Sequence, residues 1–141
     1  MSIFRFLFLA KEIKSKTDEL HFQRWRILWT PWFAIYIHRI LKSDEDKHPH
    51  NHPWNFRTFI LSGSYTEEWY NAETEEYGKQ ILTRDDSTYR GFEIFHKIEI
   101  YQPVTTLVCT GQHWNRWGYW VNGKFVEQSE YRENKNLGLY E

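Results

Sequence analysis

The chain has 141 residues, 40% hydrophobic, 26% charged and 19% aromatic, with eight Trp, nine Tyr, ten Phe and only seven Gly, which fits one compact domain and excludes a disordered chain. Eighteen Lys plus Arg against nineteen Asp plus Glu leave a net charge of −1, so no global field favours nucleic acid or an anionic membrane as partner. The single Cys109 excludes an intramolecular disulfide, a zinc ribbon and a CxxC redox pair, which leaves histidine as the reserve for metal chemistry and points to a reducing cytoplasm.

Residues 1–17 carry Phe4, Leu7 and Phe8 ahead of Lys11 and Lys14, a pattern compatible with a short amphipathic helix packed on the body, or alternatively lying on a membrane surface. The apolar start is interrupted by Arg5, is too short to span a bilayer and lacks a small-residue cleavage site, so neither a membrane span nor secretion is expected. From His21 onward the pattern changes to short runs of aromatic and β-branched residues: strands are predicted at 21–28, 33–41, 56–61, 65–70, 80–83, 88–92, 95–101, 105–110, 117–121 and 124–127. The Asn122-Gly123 pair between the last two is a type I′ hairpin signal. Many short strands at regular spacing predict an all-β sandwich or jelly-roll barrel. The expected organisation is an N-terminal helical segment over 1–20, one barrel over 21–130, and a polar tail over 131–141 that frays unless Tyr131 and Tyr140 pin it.

Three of the seven histidines fall in the run His48-Pro49-His50-Asn51-His52-Pro53-Trp54. In extended chain alternate residues share a face, so His50 and His52 project side by side, close enough to share one ion. Divalent transition metals favour imidazole ligands. A third ligand must come from elsewhere, and His96 shares a face with Ile98 and Ile100 in the run Phe95-His96-Lys97-Ile98-Glu99-Ile100. A histidine on that inward face either joins the metal site or is satisfied by backbone or a carboxylate.

The stretch from His50 to Gly63, with His-x-His-Pro-Trp followed by an apolar strand ending in Gly, resembles the first motif of the cupins, and His96 matches the histidine of the second. The segments Phe22-Gln23-Arg24-Trp25, Ile37-His38, Gly63-Ser64-Tyr65-Thr66-Glu67, Thr110-Gly111 and Arg116-Trp117-Gly118 also resemble small cupin-like proteins of bacteria and phages, over roughly residues 20 to 128 by eye. The resemblance implies a cupin-type jelly-roll barrel with the metal in its interior, a cytoplasmic location (the host cytoplasm if phage-encoded) and a possible homodimer. Two departures stand out. The position of the cupin Glu ligand falls at Phe56, and the expected Pro-x-Gly before His96 is absent, with Gly91 lying five residues upstream. Three neutral histidines without a carboxylate resemble the site of thiol dioxygenases, in which iron keeps positions open for substrate and dioxygen. Such a site stays positive and favours an anionic substrate group.

His48 continues the alternation and is either a direct ligand or a residue behind the ligands, while Pro49 and Pro53 leave the local geometry open. His38 lies in an apolar strand as a core residue or a support for the site; His21 and His113 have no supporting context. Arg57 and Arg116 are candidate anion binders, with aromatic stacking or surface ion pairing as the alternative for each. Tyr65, Trp54 and Trp69 could line a pocket or simply fill the core. Glu67 and Glu68 fall on opposite faces, so at most one points inward as an acid, base or late ligand. No Gly-x-Ser-x-Gly elbow, phosphate loop or dinucleotide fingerprint occurs.

The expectation is a metal-binding cupin, most simply a mononuclear iron dioxygenase of a small anionic molecule, with Fe(II) on His50, His52 and His96 and Zn, Ni or Mn as other candidate ions. The alternatives are a metal-dependent isomerase, lyase or hydrolase on the same barrel, and a non-catalytic binding or sensing module.

Overall fold

The computed structural model describes residues 8–14, 20–114 and 116–140. The chain order is β1 (Phe8–Lys14), β2 (Leu20–Trp29), β3 (Ala34–Ile40), β4 (Phe56–Ser62), β5 (Ser64–Asn71), β6 (Tyr77–Thr83), β7 (Ser87–Arg90), β8 (Ile94–Glu99), β9 (Val104–Thr110), β10 (Gly118–Val121), β11 (Lys124–Glu127) and α1 (Gln128–Asn136). The strands predicted from His21 to Glu127 are all present, with ends shifted by a few residues. Residues 1–7 and 15–19 lie outside the described residues.

One sheet has the order β1-β2-β3-β9-β4-β7, and a second the order β6-β5-β8, every pair antiparallel. His50 bridges both His96 of β8 and Tyr119 of β10, so the histidine segment links the β10-β11 hairpin to the second sheet through single bridges. The inward face follows from alternation. On β9 the exposure pattern is strict, with Val104, Thr106, Val108 and Thr110 buried, and registry carries that face across the sheet: Thr106 lies opposite His38 on one side and Ile60 on the other. Ile60 of β4, Tyr65 of β5, Leu82 of β6, Ile100 and Val104 form a buried cluster between the sheets. Apolar burial of this kind contributes about 25 cal/mol per Å² removed from water.

Two turns show how the sequence closes the barrel. Gly63, between β4 and β5, has φ +82°, and a Cβ there would sit 2.8 Å from the Pro103 carbonyl oxygen, so both handedness and space require glycine. Asn122 and Gly123 both have positive φ, 51° and 78°, as the type I′ reading of that pair requires.

Both ends of the chain depart from expectation. Phe8–Lys14 is a strand, not a helix: it pairs with β2 from Phe8 opposite Arg26 to Lys14 opposite Leu20, and a partner for the open edge of β2 outweighs a weak helical stripe. The one helix of the described residues lies instead in the polar tail, where Tyr131 is 2% exposed. Its ring stacks on Tyr119 at 3.7 Å and on Tyr140 at 4.6 Å. No helix among the described residues is long and apolar enough to cross a membrane.

Candidate metal centre

The segment that carries the histidine motif is held on both sides by backbone. His50 N–H donates to the His96 carbonyl at 2.9 Å and His96 N–H returns to the His50 carbonyl at 2.8 Å, while Asn51 N–H donates to Gly118 O and Trp120 N–H to Pro49 O, both at 3.0 Å. Asn51, 3% exposed, adds side-chain bonds from Gly118 N–H to its Oδ1 and from its Nδ2 to the Phe92 carbonyl, each 2.8 Å. The local chain is therefore extended despite its two prolines, and His50 and His52 emerge together.

Their rings lie 5.0 Å apart, and each lies about as close to His96, at 4.9 and 5.1 Å. One potential ligand atom from each of the three falls within 4.8 Å of the others, and His52 Nε2 stands 3.0 Å from His96 Nε2. On the far side of His96, Nδ1–H donates to Glu67 Oε2 at 2.7 Å. Glu67 is 1% exposed and is held in turn by the Arg90 guanidinium through both of its oxygens and by Gln80 Nε2 at 3.2 Å. A carboxylate that receives the Nδ1 proton of a histidine fixes its tautomer and aims Nε2 outward, the arrangement common behind metal-bound imidazoles.

Burial dominates the electrostatics. It pushes His50 down to about 4 and, with the Arg24 guanidinium adding to it, holds His52 well below the ordinary imidazole value. Both rings are thus neutral near pH 7, the form that ligates. Burial pushes Glu67 up, but the hydrogen bonds from His96 and Arg90 outweigh it and bring the carboxyl down to about 2. Phe56, at the position where the cupin resemblance places a carboxylate, has its ring 4.7 Å from His52 and 5.7 Å from His96. No acid replaces it in the cluster of ligand atoms among the described residues.

The sequence matches no protein-family model and no curated protein. Solved structures do resemble the barrel. Fe(II) HppE superposes with a TM-score of 0.60 at 13% identity, over 78% of this chain and 59% of that one. Hydroxypropylphosphonic acid epoxidase from S. wedmorenis gives 0.54 at 14%, over 71% and 54%. An oxalate decarboxylase gives 0.57 at 13%, over 78% and 30%. The fold is that of a cupin. This cupin barrel spans a little over half the length of the HppE structures it matches, at 55% and 59%.

The remaining candidates divide. Trp54 stacks beside His52 at 6.2 Å. His48 turns away from the cluster, its Nδ1 bonded to Tyr131 Oη at 2.9 Å. Tyr65 is 4% exposed and belongs to the core cluster. Arg57 is exposed on β4, over the Tyr89 ring, and Arg116 is exposed over Phe125; the aromatic-stacking alternative describes both. Of the glutamate pair, Glu67 is the inward one, and Glu68 faces out with Lys79. Sequence reasoning passed over Arg90, Gln80 and Arg24. The available signal was alternation: Glu67 lies between Tyr65 and Trp69 on one strand face, and an acid on an inward face needs a cation across from it.

Proposed function

We propose that this cupin holds one divalent transition-metal ion, Fe(II) foremost, on His50, His52 and His96, and works as a mononuclear dioxygenase on a small anionic substrate. The observation that carries the reading is the convergence of three imidazoles within 4.8 Å. Two ligand nitrogens at cis positions, each about 2.1 Å from a common ion, stand about 3 Å apart, and the His52–His96 separation of 3.0 Å fits that spacing. The donor set agrees, since neutral imidazoles suit iron, zinc and nickel and not magnesium or calcium. An Fe(II)-bearing protein and an oxalate decarboxylase on the same fold add support at the level of architecture.

A ferrous ion there would supply open coordination positions and redox chemistry toward dioxygen. The chain does the positioning. Glu67 holds His96 by its Nδ1–H, Arg90 and Gln80 hold Glu67, and the backbone bridge between His50 and His96 sets the distance between the two strands that carry the ligands. Phe56 puts an apolar ring where a carboxylate would otherwise offset the ion's charge, which leaves the site positive and favours an anion.

Metal analysis of the full chain tests the reading. About one ion per chain is expected in the wild type, with none in the double variant His50→Ala/His52→Ala, and oxygen uptake that depends on one member of a panel of small acids. Protein that neither carries a transition metal nor binds added Fe(II) overturns it. Metal binding with turnover but no oxygen uptake points to the isomerase, lyase or hydrolase class instead.

A further inference from the structure

We infer that Arg24 is the anion-holding group of the histidine site, taking the carboxylate or phosphonate head of a small organic molecule on its two Nη amino groups. The inference deepens the proposed function, resting on it for the role in turnover and not for the binding itself.

Arg24 belongs to the barrel interior. Registry places it opposite His38, His38 opposite Thr106, and Thr106 opposite Ile60, and the last two are 1% and 2% exposed. Its Nε–H donates to His38 Nε2 at 3.0 Å. Among the described residues that is its only hydrogen bond, and no carboxylate lies within ion-pairing distance. Arg90, another inward arginine, is by contrast closed by Glu67. A guanidinium taken from water without a counter-ion is unfavourable, so one that has no carboxylate partner among the described residues is suited to one that arrives from solution. Every fully buried side-chain nitrogen and oxygen among the described residues has a partner, so an Nη group without one is not completely sealed from solvent.

The surroundings hold the fork in a fixed plane. The guanidinium carbon lies 4.7 Å from the Tyr36 ring centroid, 5.7 Å from Phe22 and 5.9 Å from Trp54, contacts that orient a cation without neutralising it. His38, its acceptor, is held neutral by burial and by Arg24 itself. With Nε committed, Nη1 and Nη2 form the free edge, and two parallel N–H groups match the two oxygens of a carboxylate or phosphonate. Trp54 spans the gap to the histidines, one face toward Arg24 and its ring stacked on His52. A small acid held at Arg24 therefore lies one aromatic ring away from the cluster.

The test is calorimetric titration of the full chain, metal-free and loaded with redox-silent Zn(II), using propionate, propylphosphonate and the neutral propionamide. The wild type binds at least one anion more tightly than propionamide, and the ratio between the two anions identifies the preferred head group. Arg24→Met weakens anion binding at least tenfold, Arg24→Lys weakens it less because the charge stays and the fork is lost, and the exposed Arg57→Ala leaves it unchanged. If Arg24→Met does not melt cooperatively, Arg24→Lys carries the comparison. Wild-type anion affinity in the Arg24 variants, or no preference for either anion over propionamide in either form, overturns the inference. Arg24-dependent anion binding in a protein that retains no metal sustains it while the metal reading falls; metal retention with Arg24-independent anion binding does the reverse.

Discussion

Glu67 Oε2 accepts the Nδ1 hydrogen of His96 at 2.7 Å, and that bond decides which nitrogen of His96 is turned toward His52. The carboxylate cannot rotate freely, because Arg90 on β7 and Gln80 on β6 both donate to it. Three strands of the two sheets therefore converge on one oxygen pair to orient one ring. Removing one partner of such a buried group leaves the others uncompensated.

Replacing Glu67 with Gln keeps the shape and removes the charge that receives the His96 proton. Metal affinity is expected to fall about 10- to 100-fold, read by chelator competition, with far-UV circular dichroism retained. The melting temperature drops as well, since Arg90 loses its counter-ion. Unchanged metal affinity would show that His96 is oriented without the carboxylate.

The histidine pair was legible because it depends only on local alternation, which the bridge to His96 and Tyr119 preserves. The strands between His21 and Glu127 were legible for the same reason. Phe8–Lys14 was not, because a seven-residue run has no length with which to separate the two periods, and its state is set by β2, a partner that local pattern does not reveal. Arg24 was not legible as a site residue, because its meaning depends on His38, fourteen residues away in sequence. The C-terminal helix, polar throughout, is held by a stack of tyrosines whose third member, Tyr119, comes from β10.

His48 separates the cluster from its support. Its ring bonds Tyr131 Oη at 2.9 Å and packs edge-on against Tyr140 at 5.1 Å, outside the three-histidine group. His48→Ala is expected to keep the metal stoichiometry of the wild type while losing about 1 kcal/mol of stability from the broken hydrogen bond, measured by urea unfolding. Loss of metal with unchanged stability would place His48 among the ligands instead.

Tyr131 ties the helix to the strand that flanks the motif. It is 2% exposed, sandwiched between Tyr119 and Tyr140, and burial first, then Asp46, raises its phenol to about 12. Tyr131→Ala is expected to cost roughly 3 to 5 kcal/mol, as other buried aromatic truncations do, and to loosen the His48–His52 segment. Hydrogen exchange would show this as faster exchange at the His50 and Trp120 amides, whose partners are His96 and Pro49. A helix that frays freely would instead leave stability near the wild-type value when 128–141 is deleted.

Asp46 gives the fold a defined acid response. Burial raises its carboxyl, but the hydrogen bonds from Lys135 and Tyr119 prevail, so it lies below the ordinary carboxylate value. A depressed pKa means that the native state binds its proton less readily than the unfolded chain, so the contribution to stability is complete above the unfolded value near 4 and vanishes as pH falls through the folded one. Comparing thermal melts of the wild type and Asp46→Asn isolates this group from the other carboxyls. The wild type should melt higher at pH 7, by a margin constant down to about pH 5 that shrinks progressively below about pH 4. A margin that widens in acid would reverse the sign and show that Lys135 and Tyr119 do not stabilise the charged carboxylate. The same bonds anchor α1 through Lys135 and β10 through Tyr119, so the loss of margin should coincide with faster amide exchange at Trp120.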